Sequence, residues 1–545
     1  MRLLDRRIGL LFGLFLVFLL LAVMRSMWLV SVRGNDLRGR AAAQQVQEVF
    51  VPARRGSITD RNGLELAVTE DAATVYANPR QIANPTLAAR RLATAVHRPF
   101  EEVLEQLSDR SHGFVYLARK ADASVGDAVR RLKIEGVSVT TEPRRRYPHG
   151  TLASQLIGAV GTDGYGLAGI EQSRERRLHG KDGKRRVVSD ALGDPVSIVD
   201  LDQAKPGEDV RLTIDGAIQA RVEAVLADVG RDFRPKGATA LVLDPRNGEL
   251  LALANWPPVD AERFGDAPAY VRQNRAVGAS YEPGSTFKPV TVAGALSERL
   301  IAPSTLFQLP ATIQVADRTI KEAHEGGGGT LTTADILARS SNVGTVTIGL
   351  RLGARRFDRW VRRFGFAGST GVDIPGEATG IVPKPANYSG SSMGNLPIGQ
   401  GLAVTPMQMA AAYSAIASGG VIHPPHVVRG DAAPSRRVVD RRVAGEVSRM
   451  LEGVLSPRGT GQEAKINGYV LAGKTGTAEK PENGGYSKTK FVASFIGFAP
   501  ARKPRLLVAV MVDEPKGQIY GGVVAAPAFQ RIASFALPYL RIPPG

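Results

Sequence analysis

The chain has no cysteine among its 545 residues. That excludes disulfide bonds, thiolate catalysis and cysteine-ligated metal, and leaves the compartment open. Histidine is also scarce. Of seven, only His423 and His426 lie close together, and Pro424 and Pro425 between them prevent the helical spacing of a zinc-binding helix. The pair reads as surface loop, and no metal or other cofactor is expected. Glycine-rich stretches are present without the chemistry of a phosphate cradle. Neither Gly166-Leu167-Ala168-Gly169 nor Gly326 to Gly329 is followed by Gly-Lys-Ser/Thr, so the first reads as close backbone packing and the second as a flexible loop. No second apolar run of membrane-spanning length follows the one near the N-terminus.

Composition is otherwise that of folded protein, with 43% apolar and 22% charged residues. The formal charge of +18 is spread along the chain, as in Arg144-Arg145-Arg146, Lys184-Arg185-Arg186 and Arg436-Arg437. No nucleic-acid-binding motif accompanies it, so no nucleic-acid partner is expected. An anionic lipid surface or cell-wall polymer suits the charge better.

Ile8 to Met24 is apolar without a charge, near the lower limit of roughly 17–25 residues for a spanning helix. Trp28-Leu29-Val30 extends it, and Arg25 can snorkel to headgroups. Arg2, Arg6 and Arg7 ahead of the run favour a cytoplasmic N-terminus, although Arg25, Arg33 and Arg38 weaken that asymmetry. The rival is a cleaved signal peptide, which would need a small-residue cleavage site; the residues after Met24 are Arg25, Ser26, Met27 and Trp28. The expectation is a single-pass anchor in the inner or plasma membrane, with everything after about residue 33 extracytoplasmic.

Three patches mark the region from the anchor to about Lys205. Arg55 to Gly63 reads as strand, turn, strand, since Asn62-Gly63 favours a tight hairpin turn. Arg146-Tyr147-Pro148 and Gly166 to Glu171 are the others, all three read as structural. Beyond them, Leu212 to Asp215 and Ala217 to Val229 read as strand, Asp cap and amphipathic helix. Ala238–Leu243 and Glu249–Ala254 flank a hairpin turn at Asp244 to Gly248. Helices follow near Ser285 and over Met407–Ile416, then strands over Phe491–Phe498 and Leu506–Val512, and a last helix from near Pro527. Strands at both ends with helices between predict one sheet built from both ends of a domain.

Ser285-Thr286-Phe287-Lys288 places a hydroxyl one helical turn before an amine, on one helix face. Alone it would be an unremarkable surface pair. Ser340-Ser341-Asn342 and Lys474-Thr475-Gly476-Thr477 follow it in order, and chance is a poor account of all three. The trio Ser-x-x-Lys, Ser-x-Asn, Lys-Thr-Gly resembles that of penicillin-binding proteins and serine β-lactamases. Ser285, after Pro283-Gly284, should open a helix, whose N-terminus favours developing negative charge. Lys288 is the candidate base, which requires its pKa to be depressed by burial or by neighbours such as Lys474 and Asn342. Ser340 can relay a proton, Asn342 can orient Lys288 and hold a substrate amide, and Ser341 should point elsewhere. Lys474 to Thr477 suits an edge strand, with Gly476 admitting substrate backbone and Thr475, Thr477 and Lys474 holding a terminal carboxylate. The backbone N–H groups of Ser285 and Thr477 would make the oxyanion hole.

Over nearly its whole length the chain resembles a class B penicillin-binding protein of the division type. Arg55–Gly63, Arg146–Pro148 and Gly166–Glu171 resemble the non-catalytic pedestal. Glu282 to Ser285, Ser340 to Gly344, Gly399-Gln400-Gly401 and Gly473 to Ala478 resemble the catalytic domain. The resemblance implies an α+β fold: a penicillin-binding/serine β-lactamase-like transpeptidase domain, with an antiparallel sheet and a helical subdomain, at 207–545. An extended pedestal occupies 34–206, and a short tail and transmembrane helix 1–33. It implies a peptidoglycan D,D-transpeptidase that is acylated at Ser285 by D-alanyl-D-alanine stem peptides and blocked by β-lactams. Its partners would be a polytopic membrane glycan polymerase, other division proteins and membrane lipid. Asn342, where the elongation branch often carries aspartate, implies septal synthesis, with sporulation-specific relatives sharing the pattern. The competing readings are a D,D-carboxypeptidase, a β-lactamase and a membrane penicillin sensor.

Overall fold

The computed structural model describes residues 2–31, 46–189, 195–323 and 328–544; Gly326 and Gly327 of the expected flexible loop lie outside them. A 30-residue helix, α1 (Arg2–Ser31), opens the chain. Its segment Ile8–Leu29 is long and apolar enough to cross a membrane and is not buried against protein. The Arg25 guanidinium lies over the Trp28 ring at 4.7 Å.

The described residues of the pedestal form two sheets. β1 (Val46–Val51), β6 (Gly183–Ser189) and β7 (Pro195–Asp202) form a three-stranded antiparallel sheet. In the second, β3 (Glu65–Ala77) pairs with β2 (Ile58–Thr59), β4 (Val115–Ala121) and β5 (Val137–Arg146). Helices Pro85–Val96, Phe100–Ser108 and Ala123–Leu132 cover it through a separate small core around Leu92, Val103 and Leu107. β8 (Val210–Arg211) pairs in parallel with β2, so the chain is still in the pedestal sheet four residues past the expected junction.

Two of the pedestal patches, and Arg145 just ahead of the third, meet at one buried ion cluster. The Glu171 carboxylate is fully buried and accepts from Arg55 Nε and Arg145 Nε, both at 2.6 Å. Arg55 also donates to the Glu171 carbonyl at 2.7 Å and pairs with Glu175 at 2.8 Å, while Arg145 donates to the Gly56 carbonyl at 2.8 Å. The hairpin turn at Asp60 to Gly63, with Gly63 at φ +95°, reaches the next domain. Asp60 accepts from the Asn62 and Leu64 amides within the turn and from the Gly216 amide at 2.9 Å, at the start of α2 (Gly216–Phe233). Asp215 caps the same helix, as its sequence position predicts. The pedestal turn thus supplies a second anion to that N-terminus.

The catalytic-domain sheet has the order β10 (Leu250–Trp256), β9 (Gly237–Leu243), β19 (Leu506–Asp513), β18 (Gly485–Ala499), β17 (Ala472–Glu482), antiparallel throughout. Both ends of the domain build it, and β9 and β19 are buried at every residue. The 3-10 turn Gly284–Phe287 leads into α3 (Lys288–Ser297). Short strands β11 (Leu306–Leu309) and β14 (Gly329–Thr332) pair, as do β12 (Thr312–Val315) and β13 (Arg318–Lys321). Then come α4 (Thr333–Ala338), α5 (Asn342–Leu352), α6 (Pro406–Ala417, with a Thr405/Gln408 capping box), the hairpin β15 (Val421–Ile422)–β16 (Arg436–Arg437), and α7 (Gly521–Tyr539).

Two expectations need correction. The last helix starts at Gly521, six residues before Pro527, because Gly521 packs where a Cβ would meet the Gly476 carbonyl at 2.3 Å and the Ser494 carbonyl at 2.4 Å. Tertiary contact, not the proline, sets its start. His426 is buried rather than on a surface loop: its amide donates to the Gly248 carbonyl and its carbonyl accepts from the Leu250 amide. Among the described residues no group of His, Asp or Glu could hold a metal ion.

Candidate active site

The three motifs converge on one cleft of 1230 Å³, lined among others by Ser285, Ser340, Asn342, Thr475 and Thr477. Lys288 and Lys474 are fully buried beside it. Ser285 sits in the first turn of the 3-10 segment that precedes α3 and is partly exposed. Its turn is braced from behind. The Thr286 hydroxyl donates to the Pro283 carbonyl, Tyr413 Oη donates to the Thr286 carbonyl, and the Gly284 amide donates to the Gly399 carbonyl. A Cβ on Gly399 (φ +81°) would lie 2.2 Å from the Gly284 carbonyl, so the Gly399-Gln400-Gly401 loop approaches this closely only because residue 399 lacks a side chain.

The Lys288 amine spends its three protons away from Ser285. It donates to the Ser340 carbonyl at 2.6 Å, Asn342 Oδ1 at 2.7 Å and Ser340 Oγ at 3.3 Å. An ammonium has three donors, so here it is saturated; losing one proton frees a lone pair that can accept from a hydroxyl. Burial brings its pKa down to about 7, with the Glu322 carboxylate pulling the other way. Burial, and then the Lys288 charge, push Lys474 well below the ordinary lysine value. Lys474 Nζ donates back to the Thr475 carbonyl at 3.1 Å and more weakly to Thr475 Oγ1 at 3.4 Å, and makes no hydrogen bond to Ser340.

Ser340 holds an unusual backbone. The Ser341 amide donates to the Ile336 carbonyl and the Ser340 amide to the Leu337 carbonyl, the two bonds of a Schellman ending of α4. The residue in the left-handed position of that ending is usually glycine, but here it is Ser340, at φ +61°. A serine accepts that conformation at a cost of about 1–2 kcal/mol, and its carbonyl and hydroxyl both meet Lys288. Ser341 points elsewhere, as its position predicts. Its Oγ accepts from the Gly344 amide at 2.9 Å and caps α5. Asn342 uses both ends of its amide, Nδ2 donating to the Lys321 carbonyl at 2.9 Å.

Lys474 to Thr477 lies on the edge strand β17, beside the Gly284–Phe287 turn. Gly476 of this strand packs against the Gly284–Phe287 turn. A Cβ there would meet Ser494 Oγ at 2.4 Å, Thr286 Cγ2 at 2.9 Å and the Pro283 carbonyl at 3.1 Å, so its bare backbone lets β17 seat on that turn. Thr475 is buried and paired with Thr460 Oγ1 at 2.6 Å. Thr477 is partly exposed; its Oγ1 accepts from the Gly521 amide at 3.0 Å, leaving the hydroxyl proton for a ligand.

One residue of the cluster escapes sequence reasoning. Glu322, after β13, accepts from Ser341 Oγ at 2.5 Å and from the Asn342 amide at 2.6 Å. Its position twenty residues ahead of Asn342 carries no periodic or motif signal.

Comparison with known proteins agrees with this geometry. Residues 238–534 match the penicillin binding protein transpeptidase domain, and residues 50–212 the penicillin-binding protein dimerisation domain. The stage V sporulation protein D of Bacillus subtilis is 33% identical over 98% of this chain and 85% of its own length. The peptidoglycan D,D-transpeptidase FtsI of Escherichia coli is 31% identical over 99% of this chain and 92% of its own. The crystal structure of penicillin binding protein 3 from Mycobacterium tuberculosis, complexed with aztreonam, superposes with a TM-score of 0.71 at 32% identity, covering 91% of this chain and 98% of that one.

Proposed function

From the premise that the chain belongs to the class B penicillin-binding proteins and is a serine-type peptidoglycan D,D-transpeptidase, we propose that Ser285 is the acylated nucleophile, that β-lactams acylate the same hydroxyl, and that the enzyme serves septal wall synthesis. The observation that carries the site assignment is the wholly buried Lys288, held by Ser340 and Asn342 with its pKa near 7. Half-neutral at physiological pH, it takes the Ser285 proton as Oγ attacks the carbonyl of the penultimate D-alanine. The backbone N–H groups of Ser285 and Thr477 receive the oxyanion, a term worth about 2.7–4 kcal/mol per donor. The proton passes through Ser340 to the leaving nitrogen, D-alanine departs, and the acyl-enzyme awaits an amine from a neighbouring strand. Thr477, with Lys474 behind it, holds the substrate carboxylate; Thr475 and Gly476 shape that strand.

The pedestal at 34–206 serves as scaffold between anchor and catalytic domain at 207–545, and α1 spans the membrane with its N-terminus in the cytoplasm. A membrane glycan polymerase and other division proteins supply and place the glycan strands. The septal assignment rests on Asn342, whose amide accepts from Lys288 and donates to Lys321. An aspartate could not make the second bond. A sporulation role is the second reading, favoured by similarity to a protein named for that process.

Mass spectrometry of the protein after incubation with a penicillin tests the site: the adduct is expected on Ser285 and absent from Ser285→Ala, and an adduct elsewhere overturns the assignment. Slow release of label fits a transpeptidase, fast release a β-lactamase, and labelling without peptide turnover a sensor. Depletion in the native host tests the role: filaments with blocked septa are expected. Rounded cells that still divide contradict it, and normal division with failed spores selects the second reading.

A further inference from the structure

Glu322 stands outside all three motifs, yet it touches the middle one at two points. Ser340, Ser341 and Asn342 form the two-sided junction between α4 and α5, with Ser340 at a left-handed φ that the segment would not choose unaided. Oε1 of Glu322 accepts from Ser341 Oγ at 2.5 Å, and Oε2 accepts from the Asn342 amide at 2.6 Å. Both bonds are charge-assisted, and a carboxylate at the start of α5 also suits the helix dipole. On either side of this clamp lie the two groups that receive Lys288, the Ser340 carbonyl and Asn342 Oδ1. We propose that Glu322 is a positioning residue of the acyl-transfer centre, whose carboxylate locks the Ser340–Asn342 junction in the register that presents both acceptors to Lys288 and sets the charge the amine experiences.

This rests on the reading of Lys288 as general base. The charge component follows from the surroundings of the amine. Glu322 is the acidic group acting on Lys288, and Lys474, on β17, is the buried amine beside it. The other ionisable side chains lining the cleft are Arg318, Lys321, Arg339, Arg458, Glu463, Glu479 and Tyr520. Glu322 favours the protonated amine and so opposes the burial that frees it. Geometry and charge are therefore separable. Glutamine keeps the length, accepting from the Asn342 amide and donating to Ser341 Oγ, but loses the charge. Aspartate keeps the charge but cannot span both contacts.

The test is the rate of penicillin acylation of the full chain in detergent, measured by stopped flow from pH 5.5 to 9, for wild type, Glu322→Gln and Glu322→Asp, with melting temperatures alongside. For Glu322→Gln the rise of rate with pH should move to lower pH, with a plateau within about threefold of wild type. For Glu322→Asp the midpoint should stay, while the plateau falls about tenfold or more, on the scale of losses from an ångström of misplacement. If both variants merely melt earlier, with midpoint and plateau unmoved, Glu322 is only a helix cap and the proposal fails. A wild type that acylates at a pH-independent rate overturns the general-base reading itself, a different outcome from wild type and variants sharing one titrating midpoint.

Discussion

Replacing Glu171 with alanine should destabilise the pedestal more than any surface change. The carboxylate is fully buried and stands between two guanidiniums whose side chains are only 6% and 3% exposed. Without it Arg55 retains Glu175, whose oxygen lies 2.8 Å away. Arg145 keeps only neutral acceptors, the Gly56 carbonyl and Thr69 Oγ1, and its Nη2 is already unpartnered. Stranding a buried charge in this way costs about 3–5 kcal/mol. At about 2–4 °C per kcal/mol for a domain of some 150–250 residues, the melting temperature should fall by on the order of 10 °C. Differential scanning calorimetry of the detergent-solubilised chain reads this directly. A companion variant with Arg55, Arg145 and Glu171 all replaced by apolar residues of similar volume should regain most of the loss, since it leaves no charge behind. A Glu171→Ala protein melting within about 2 °C of wild type would refute the reasoning.

The remaining predictions concern the cleft. Lys288→Arg should lose acylation by about 10²-fold or more, because a guanidinium stays protonated and cannot act as base; near-normal labelling at pH 7 would remove Lys288 from that role. With its pKa lowered to about 7, Lys288 is the active neutral form above that value, so acylation should climb about tenfold from pH 5 to pH 6 and level off above pH 8; a flat profile contradicts this. Gly476→Ala should cost about 1–3 kcal/mol from overpacking and slow acylation as well, since the new methyl meets Ser494 Oγ at 2.4 Å and the Pro283 carbonyl at 3.1 Å. Unchanged melting and labelling would show that β17 can shift without consequence.

The chemistry was legible because its residue types are rare in that order and local in spacing. Ser285 and Lys288 are three apart, Ser340 and Asn342 two apart, and Lys474 to Thr477 contiguous. The strand-like runs at both ends of the domain, with helices between, likewise predicted the shared sheet, and Asp215 its helix. What stayed hidden depends on contacts across long stretches of chain. Glu322 matters through Ser341 and Asn342, Gly476 through Ser494 and Pro283, and Gly521 through Gly476. The pedestal patches were readable as structural, but the meeting of Arg55 and Arg145 at Glu171 was not, since Arg55 and Glu171 lie 116 residues apart. Ser340 in a position glycine usually takes is a local signal, visible only once the end of α4 is known.

The sheet order carries a consequence for biosynthesis. β9 is among the first strands of the catalytic domain to leave the ribosome, and β19, its hydrogen-bonded neighbour, is the last of the five. Until β19 emerges, the inner edge of a strand buried at every residue has no partner and is open to pairing with another chain. Such late, non-local closure is slow and leaves the nascent domain prone to aggregation. β17 reaches its edge position only through β18 and β19, so the Lys474 strand cannot come to rest beside Ser285 until nearly the whole domain has been made. The chain would therefore bring Ser285, Lys288 and Lys474 together only in the last step of folding.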